Sequence, residues 1–219
     1  MSSLFSSPDN ETPTNPNHIR LVLPVKSFQH GKQRLAAVLD AAARHELSMR
    51  LATQMVDSNH DLNPLVVTND DEVANWAKTL NVEVHHPKNA GLNEAVSSAS
   101  NFLRAASGVK GIKGIVIAHC DIAFPRSLDF VAYFDGFTLI PDRHGEGTNV
   151  MCLPLDVEFT FAYGPHSFGR HHRAALATGR AVRVVNDELL GIDVDTPQDL
   201  ALVHELHATT IPPAITVET

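Results

Sequence analysis

Two acidic segments far apart in the chain have the chemistry to share one cation. His119-Cys120-Asp121 follows the apolar run Ile115 to Ala118, and Gly191-Ile192-Asp193-Val194-Asp195-Thr196-Pro197 stands near the C-terminal end. Each sets a carboxylate at the end of an expected strand, where an open α/β sheet builds its ligand crevice. Carboxylates there are oxygen ligands for a hard cation such as Mg²⁺, which keeps waters and is completed by substrate phosphates. Asp193 and Asp195 alternate, so in an extended segment they point the same way and one of them is expected to face the crevice. Asp199 reads as a first-turn acid favoured by a helix dipole.

Three cations, Lys26, Lys32 and Arg34, fall within nine residues after the first expected strand, in Lys26-Ser27-Phe28-Gln29-His30-Gly31-Lys32-Gln33-Arg34. Lysine supplies a point charge and arginine a fork for phosphate oxygens, so a triphosphate would lie along this loop; standing alone it would be a solvated basic loop. Thr68-Asn69-Asp70 and Gly91-Leu92-Asn93-Glu94 each follow a strand and open a helix. They are either helix caps or parts of a nucleotide pocket, with the Asn93 amide able to cap the helix or to read a base edge. Pro141 to Asn149 forms a polar, glycine-containing loop whose N–H groups and Thr148 hydroxyl suit an anion. Tyr163-Gly164-Pro165-His166-Ser167-Phe168 joins a tight turn to a helix start, where Ser167 and nearby N–H groups suit a carboxylate or phosphate. Together with Arg143 and Thr148 it reads as the acceptor side of a pocket.

These groups need a scaffold that gathers strand ends. The apolar runs predict strands at Ile19 to Val25, Leu65 to Thr68, Val82 to Val84, Ile115 to Ala118, Phe137 to Ile140, Val150 to Leu153 and Ala181 to Val185. Between them, Asp40 caps a helix over Ala41 to Ser58, Asp70 opens Asp71 to Leu80, Leu92 to Ala106 follows Gly91, and Pro197 starts a helix running to His207. Short β-rich runs alternating with helices predict βαβ units and a mainly parallel sheet.

At 219 residues, 43% of them apolar, the chain fits one sizeable domain, expected over 18–208. The polar, proline-rich stretch 1–17 and the segment 209–219 are expected to be a disordered and a flexible tail. A formal charge of −8 excludes the broad basic field of a nucleic-acid binder. No membrane span or signal peptide is apparent, so no membrane partner and a cytoplasmic location are expected. Cys120 and Cys152 cannot form a disulfide framework. Of thirteen histidines, none sits in zinc spacing.

In order along the chain, Pro24-Val25-Lys26 with Lys32 and Arg34-Leu35, Val67-Thr68, Gly91-Leu92-Asn93, Asp142-Arg143-His144-Gly145 with Gly147-Thr148-Asn149, Gly164 with Ser167-Phe168 and His171, and Asp193-Val194-Asp195-Thr196-Pro197 resemble the 2-phospho-L-lactate guanylyltransferase family, with its phosphoenolpyruvate and phosphoglycerate variants. Cys120-Asp121-Ile122-Ala123 stands where the family has Ala-Asp-Leu-Pro. The resemblance implies a single-domain nucleotidyltransferase α/β fold, Rossmann-like and of GT-A type, with a mixed, mainly parallel sheet flanked by helices. It implies transfer of GMP from GTP to the phosphate of a small phospho-carboxylic acid during synthesis of a deazaflavin coenzyme, with Mg²⁺ as cofactor, and leaves a homodimer open. Lys26, Lys32, Arg34, Asp121 and Asp195 would carry catalysis, and Asp121 and Asp195, with Asp193 as the alternative carboxylate, would hold the metal. Pro24, Val25, Lys26, Lys32, Thr68, Gly91 and Asn93 would bind the nucleotide, and Arg143, Thr148, Asn149, Gly164 and Ser167 the acceptor. Two rival readings are a cytidylyltransferase acting on a sugar or polyol phosphate and a nucleotide-binding protein without turnover.

Overall fold

Seven strands form one sheet in the order β3-β2-β1-β4-β6-β5-β7, in a computed structural model that describes residues 18–88 and 91–210. The strands are β1 Ile19–Pro24, β2 Leu65–Val67, β3 Glu83–His85, β4 Gly114–Ala118, β5 Phe137–Pro141, β6 Thr148–Pro154 and β7 Val182–Val184. β1 pairs in parallel with both β2 and β4, while β6 runs antiparallel between β4 and β5. The sheet is therefore mixed and mainly parallel. Its central strands are nearly continuous apolar runs because helices cover both faces, and β1, β2 and β4 are buried along almost their whole length. Chain order reverses across β1, so the switch point of the sheet lies between β1 and β4, with the C-terminal ends of both strands opening on one side.

The helices are α1 Ala41–Asp57, α2 Asp71–Thr79, α3 Leu92–Lys110, α4 Asp129–Ala132, α5 Ser167–Ala177 and α6 Pro197–Thr210. Asp40 and Asp70 cap α1 and α2 through the N–H groups of Ala43 and Val73, as their positions predict. α3 begins differently: Gly91 is its N-cap and no side chain caps it, so the capping role predicted for Asn93 is not taken up. α3 also runs past Ala106 to Lys110, where Gly111 in a left-handed conformation ends it. The short α4 has no counterpart in the sequence prediction. α6 continues beyond His207 to Thr210 and so takes in the first two residues of the segment 209–219 expected as a tail; the rest of that segment and the predicted tail 1–17 lie outside the described residues.

The two core clusters that cover the faces of the sheet meet a third, small one around Leu35, Ile192, Val194 and Val203. This last cluster matters for function. It anchors the segment 192–194 beside the end of β4, where Ala123 N donates to Ile192 O (2.8 Å) and Val194 N donates to Asp121 O (3.0 Å). That antiparallel pairing brings the two acidic segments together.

Candidate active site at the switch point

A cleft of about 820 Å³ opens at the C-terminal ends of β1, β2 and β4. Its lining includes Pro24, Val25, Lys26, Lys32, Thr68, Gly91, Asp121 and Asp195, residues drawn from five separate segments that the sequence prediction had grouped. A second cavity, of about 570 Å³, lies at the opposite end of the sheet around Ile19, Gly114 and Pro154 and holds none of the predicted site residues.

Lys32 is the centre of charge in the cleft. Its Nζ donates to Asp121 Oδ2 at 2.8 Å and to Asp195 Oδ1 at 2.9 Å. The lysine side chain is only 6% exposed, against 29% for Asp121 and 41% for Asp195, so a near-buried ammonium faces two carboxylates that open toward solvent. Burial alone would lower the lysine pKa, but the two carboxylates outweigh it and hold the value above the usual lysine range. Burial would likewise raise Asp121, and Lys32 with a smaller contribution from His119 holds it below the usual carboxylate range. Lys32 reaches this position from a left-handed backbone (φ 55°) at the start of a single 3-10 turn, Gln33–Leu35. A non-glycine residue held there is strained, as functional positions often are.

The carboxylate pair is resolved by the structure. Asp195 lines the cleft, whereas Asp193 pairs through its backbone with Ile122 and does not. Burial, and then the neighbouring Asp121, push the Asp193 carboxyl above the usual range. Asp121 Oδ1 is buried and has no hydrogen-bond partner in the protein. Two converging carboxylates, one with an unpaired buried oxygen, fit a hard cation that is completed by substrate phosphates. Among the described residues no group of three or more metal-ligating side chains gathers, so such a cation would depend on its substrate for further ligands.

Other predicted residues lie elsewhere. Arg34 sits in the 3-10 turn, exposed and outside the lining of the cleft, because the turn carries Leu35 inward and Arg34 outward. Asn93 faces the segment before α5: its Oδ1 accepts from Tyr163 N (2.7 Å) and its Nδ2 donates to Tyr163 O (3.2 Å), so the amide clamps a backbone and is not free to read a base.

The predicted acceptor residues form a tightly bonded block. Thr148 N donates to Ser167 Oγ (3.1 Å), Thr148 Oγ1 meets His171 Nδ1 (3.0 Å), and Ala162 N donates to His171 Nε2 (2.9 Å). Because an amide N–H only donates, Nε2 must be the acceptor nitrogen and Nδ1 carries the hydrogen toward Thr148. Burial, with Arg170 and His119 nearby, pushes His171 down to about 4, so the ring is neutral. Asn149 Nδ2 donates to Leu190 O (3.0 Å). Thr148, Asn149 and Ser167 are all buried, so their side chains first hold the block together. Gly164 is exposed with φ +117°, a conformation a side chain rarely adopts.

Three residues gain weight that the sequence did not give them. Asp142 organises the hairpin loop between β5 and β6, accepting from the N–H groups of His144, Glu146 and Gly147. Asp199 is more than a first-turn acid. Its carboxylate accepts from Asp195 N (3.0 Å), Thr196 N (2.7 Å) and Thr196 Oγ1 (2.8 Å), and pairs with Arg143. It closes a capping box on α6 and ties the β5–β6 loop to the segment bearing Asp195; Thr-x-x-Asp spacing is the sequence signal for it. His119, beside Asp121, lines the cleft.

Residues 19–210 match the family described as guanylyl transferase CofC like. The chain belongs to that family. It is 30% identical over 189 residues to a phosphoenolpyruvate guanylyltransferase of Rubrobacter xylanophilus, covering 82% of this chain and 90% of the relative. A protein of the same name from Conexibacter woesei is 32% identical over 206 residues (86% and 88%), and a 2-phospho-L-lactate guanylyltransferase of Methanosphaera stadtmanae 29% over 192 residues (84% and 82%). Among solved structures, a putative nucleotide-diphospho-sugar transferase from Desulfovibrio desulfuricans superposes with a TM-score of 0.71 at 15% identity over 88% of this chain and 89% of that one. A cytidylyltransferase from Leptospira borgpetersenii gives 0.54 at 12% identity over 89% and 88%. These likenesses show the nucleotidyltransferase fold.

Proposed function

We propose that the protein transfers GMP from GTP to the phosphate of a small phospho-carboxylic acid, of the phosphoenolpyruvate, 2-phospho-L-lactate or phosphoglycerate class, with release of pyrophosphate, in the making of a deazaflavin coenzyme. The observation that carries this reading is the Lys32 ammonium between Asp121 and Asp195 at the mouth of a cleft large enough for a nucleotide, in a member of the guanylyltransferase family. The nucleoside would lie against Pro24, Val25, Thr68 and Gly91, with its triphosphate toward Lys26 and Lys32. Asp121 and Asp195 would hold Mg²⁺, which when bound supplies charge neutralisation at the phosphates.

An oxygen of the acceptor phosphate attacks the α-phosphorus in line; the bond from that phosphorus to the bridging oxygen breaks, and its electron pair leaves with pyrophosphate. The acceptor phosphate is already a nucleophile, so no general base is required. The chain contributes positioning and charge: Lys32 stays ionised across the physiological range and faces the phosphates, while the Thr148, Gly164 and Ser167 block borders the acceptor. With GTP and a phospho-acid as the proposed substrates, the reaction is proposed to run in the cytoplasm, where both are made.

The test is pyrophosphate release from GTP, CTP, ATP and UTP, each with the three phospho-acids and with a polyol phosphate, with product masses. GTP with at least one phospho-acid is expected to turn over. Turnover only with CTP and the polyol phosphate would make the protein a cytidylyltransferase, and no release from any pair would leave a nucleotide-binding protein without turnover.

A further inference from the structure

Among the described residues, five buried side-chain polar atoms have no hydrogen-bond partner within the protein: Ser27 Oγ, Arg44 Nε, His119 Nε2, Asp121 Oδ1 and Tyr163 Oη. Buried polar groups are nearly always paired, because an orphan carries its desolvation cost uncompensated. Three of the five form one contiguous group. His119 Nδ1 lies 4.0 Å from Asp121 Oδ1, and the His119 and Tyr163 rings pack with centroids 5.4 Å apart. Tyr163 in turn meets the His171 ring edge-on at 4.7 Å. The group therefore runs from the carboxylate at the centre of charge to the Thr148, Ser167 and His171 block.

The backbone around these groups is held by hydrogen bonds, while their polar ends make none. Asn93 clamps the Tyr163 backbone on both sides, and His119 N donates to Asn149 O at 3.0 Å. Burial pushes the Tyr163 phenol above its usual range, so the hydroxyl remains a donor. Imidazole nitrogen and phenol hydroxyl are both suited to donate to an anion, and Asp121 beside them is suited to a cation. His119 and Asp121 line the cleft and Tyr163 packs directly behind His119, so a phosphate bound to a metal ion at Asp121 has oxygens to offer both donors.

We infer that His119 and Tyr163 bind the reacting phosphate of the acceptor, donating from Nε2 and Oη to two of its oxygens and leaving the third free to attack. This rests on the guanylyl-transfer reading. The two residues would be substrate contacts in addition to those expected from the family, and they explain how the acceptor phosphate is held at the junction between the nucleotide cleft and the block bearing Thr148.

Tyr163→Phe keeps the ring and removes only the hydroxyl. If the hydroxyl is an orphan awaiting substrate, the variant melts at or above the wild-type temperature, the acceptor KM rises roughly tenfold, and the GTP KM is unchanged. His119→Ala should raise the acceptor KM similarly. An unchanged acceptor KM in Tyr163→Phe overturns the inference, as does a lowered melting temperature with unchanged KM, which would reveal a buried water or internal partner. A parallel calorimetric titration uses phosphoenolpyruvate, 2-phospho-L-lactate and 3-phosphoglycerate in turn, with Mg²⁺ and a non-hydrolysable GTP analogue present. It decides the point even if the wild type turns over none of them: weaker binding to Tyr163→Phe supports the contact, and equal binding, or none to wild type, rejects it.

Discussion

The two halves of the site differ in how their polar groups are used. In the half proposed to take the nucleotide, and at its junction with the other, Ser27, His119 and Asp121 line an open cleft with buried polar atoms that make no hydrogen bond within the protein. In the half proposed to take the acceptor, Thr148, Asn149, Ser167, His171 and Arg143 are bonded to one another or to neighbouring elements. Open polar groups are maintained at a cost in stability and are where a charged ligand is expected, whereas bonded groups act first as structure. Substitutions of the unbonded groups should therefore affect turnover with little loss of stability, and substitutions of bonded groups, the Lys32 cluster included, should affect both.

The largest effect is expected from Asp121→Asn. The amide keeps the shape but loses most of the attraction for a hard cation, and turnover should fall by about a thousandfold or more in a protein that still folds, with a lowered melting temperature because the near-buried Lys32 ammonium keeps only Asp195 as a charged partner. Near-parental turnover in the folded variant would place the metal, or the need for one, elsewhere. Lys32→Ala should come next, because it leaves two carboxylates facing each other. We expect a loss of about 1.5–3 kcal/mol in GTP binding, the usual contribution of a hydrogen bond to a charged group, with acceptor binding less affected. Calorimetry showing unchanged GTP affinity and weakened acceptor affinity would reverse the assignment.

The acceptor half makes a pH prediction. His171 sits near 4 when folded against 6.5 as its ordinary value, so the unfolded chain binds the extra proton between those limits. Its contribution is complete above about pH 6.5 and is lost as pH falls toward 4, amounting to at most roughly 3 kcal/mol. Chemical denaturation from pH 7 to 4.5 should show this slope in the wild type and a shallower one in His171→Asn; equal slopes would contradict the bonding pattern assigned to the ring. Thr148→Ala orphans His171 Nδ1–H, and Ser167→Ala orphans Thr148 N–H. Each should lower stability by about 1–3 kcal/mol and raise the acceptor KM about tenfold, leaving GTP affinity unchanged. A KM effect without destabilisation would mean these hydroxyls belong with the open half. The smallest effect should come from Glu146→Thr. Glu146 pairs with His166 across two exposed loops, so its charge is partly answered, and stability should move by less than about 1 kcal/mol while activity rises. Abolished turnover would make Glu146 a working part of the site.

All seven strands and the four longest predicted helices were legible from apolar runs, caps and turn residues, because those signals are local. So was the meeting of Asp121 with Asp195, since strand ends in an open α/β sheet converge. Partner choice was not legible. Nothing local in Gly91-Leu92-Asn93 shows that the Asn93 amide reaches seventy residues onward to the Tyr163 backbone. The outward turn of Arg34 depends on the inward pull of Leu35 into a cluster that joins α1 to the distant residues Ile192, Val194 and Val203. Asp199 was read as a dipole acid because its link to Arg143 joins two segments 56 residues apart. The orphan nitrogen of His119 and hydroxyl of Tyr163 are defined by what does not surround them, which no residue pattern encodes.

The central claim is that the Asp121 and Asp195 carboxylates around Lys32 mark where metal, triphosphate and acceptor meet. The most direct measurement is anomalous diffraction from crystals grown with Mn²⁺ and a non-hydrolysable GTP analogue. The account predicts a metal peak bonded to both Asp121 and Asp195, with the triphosphate beside Lys32; a metal bound away from both carboxylates, or a nucleotide seated outside the cleft between β1 and β4, would contradict it.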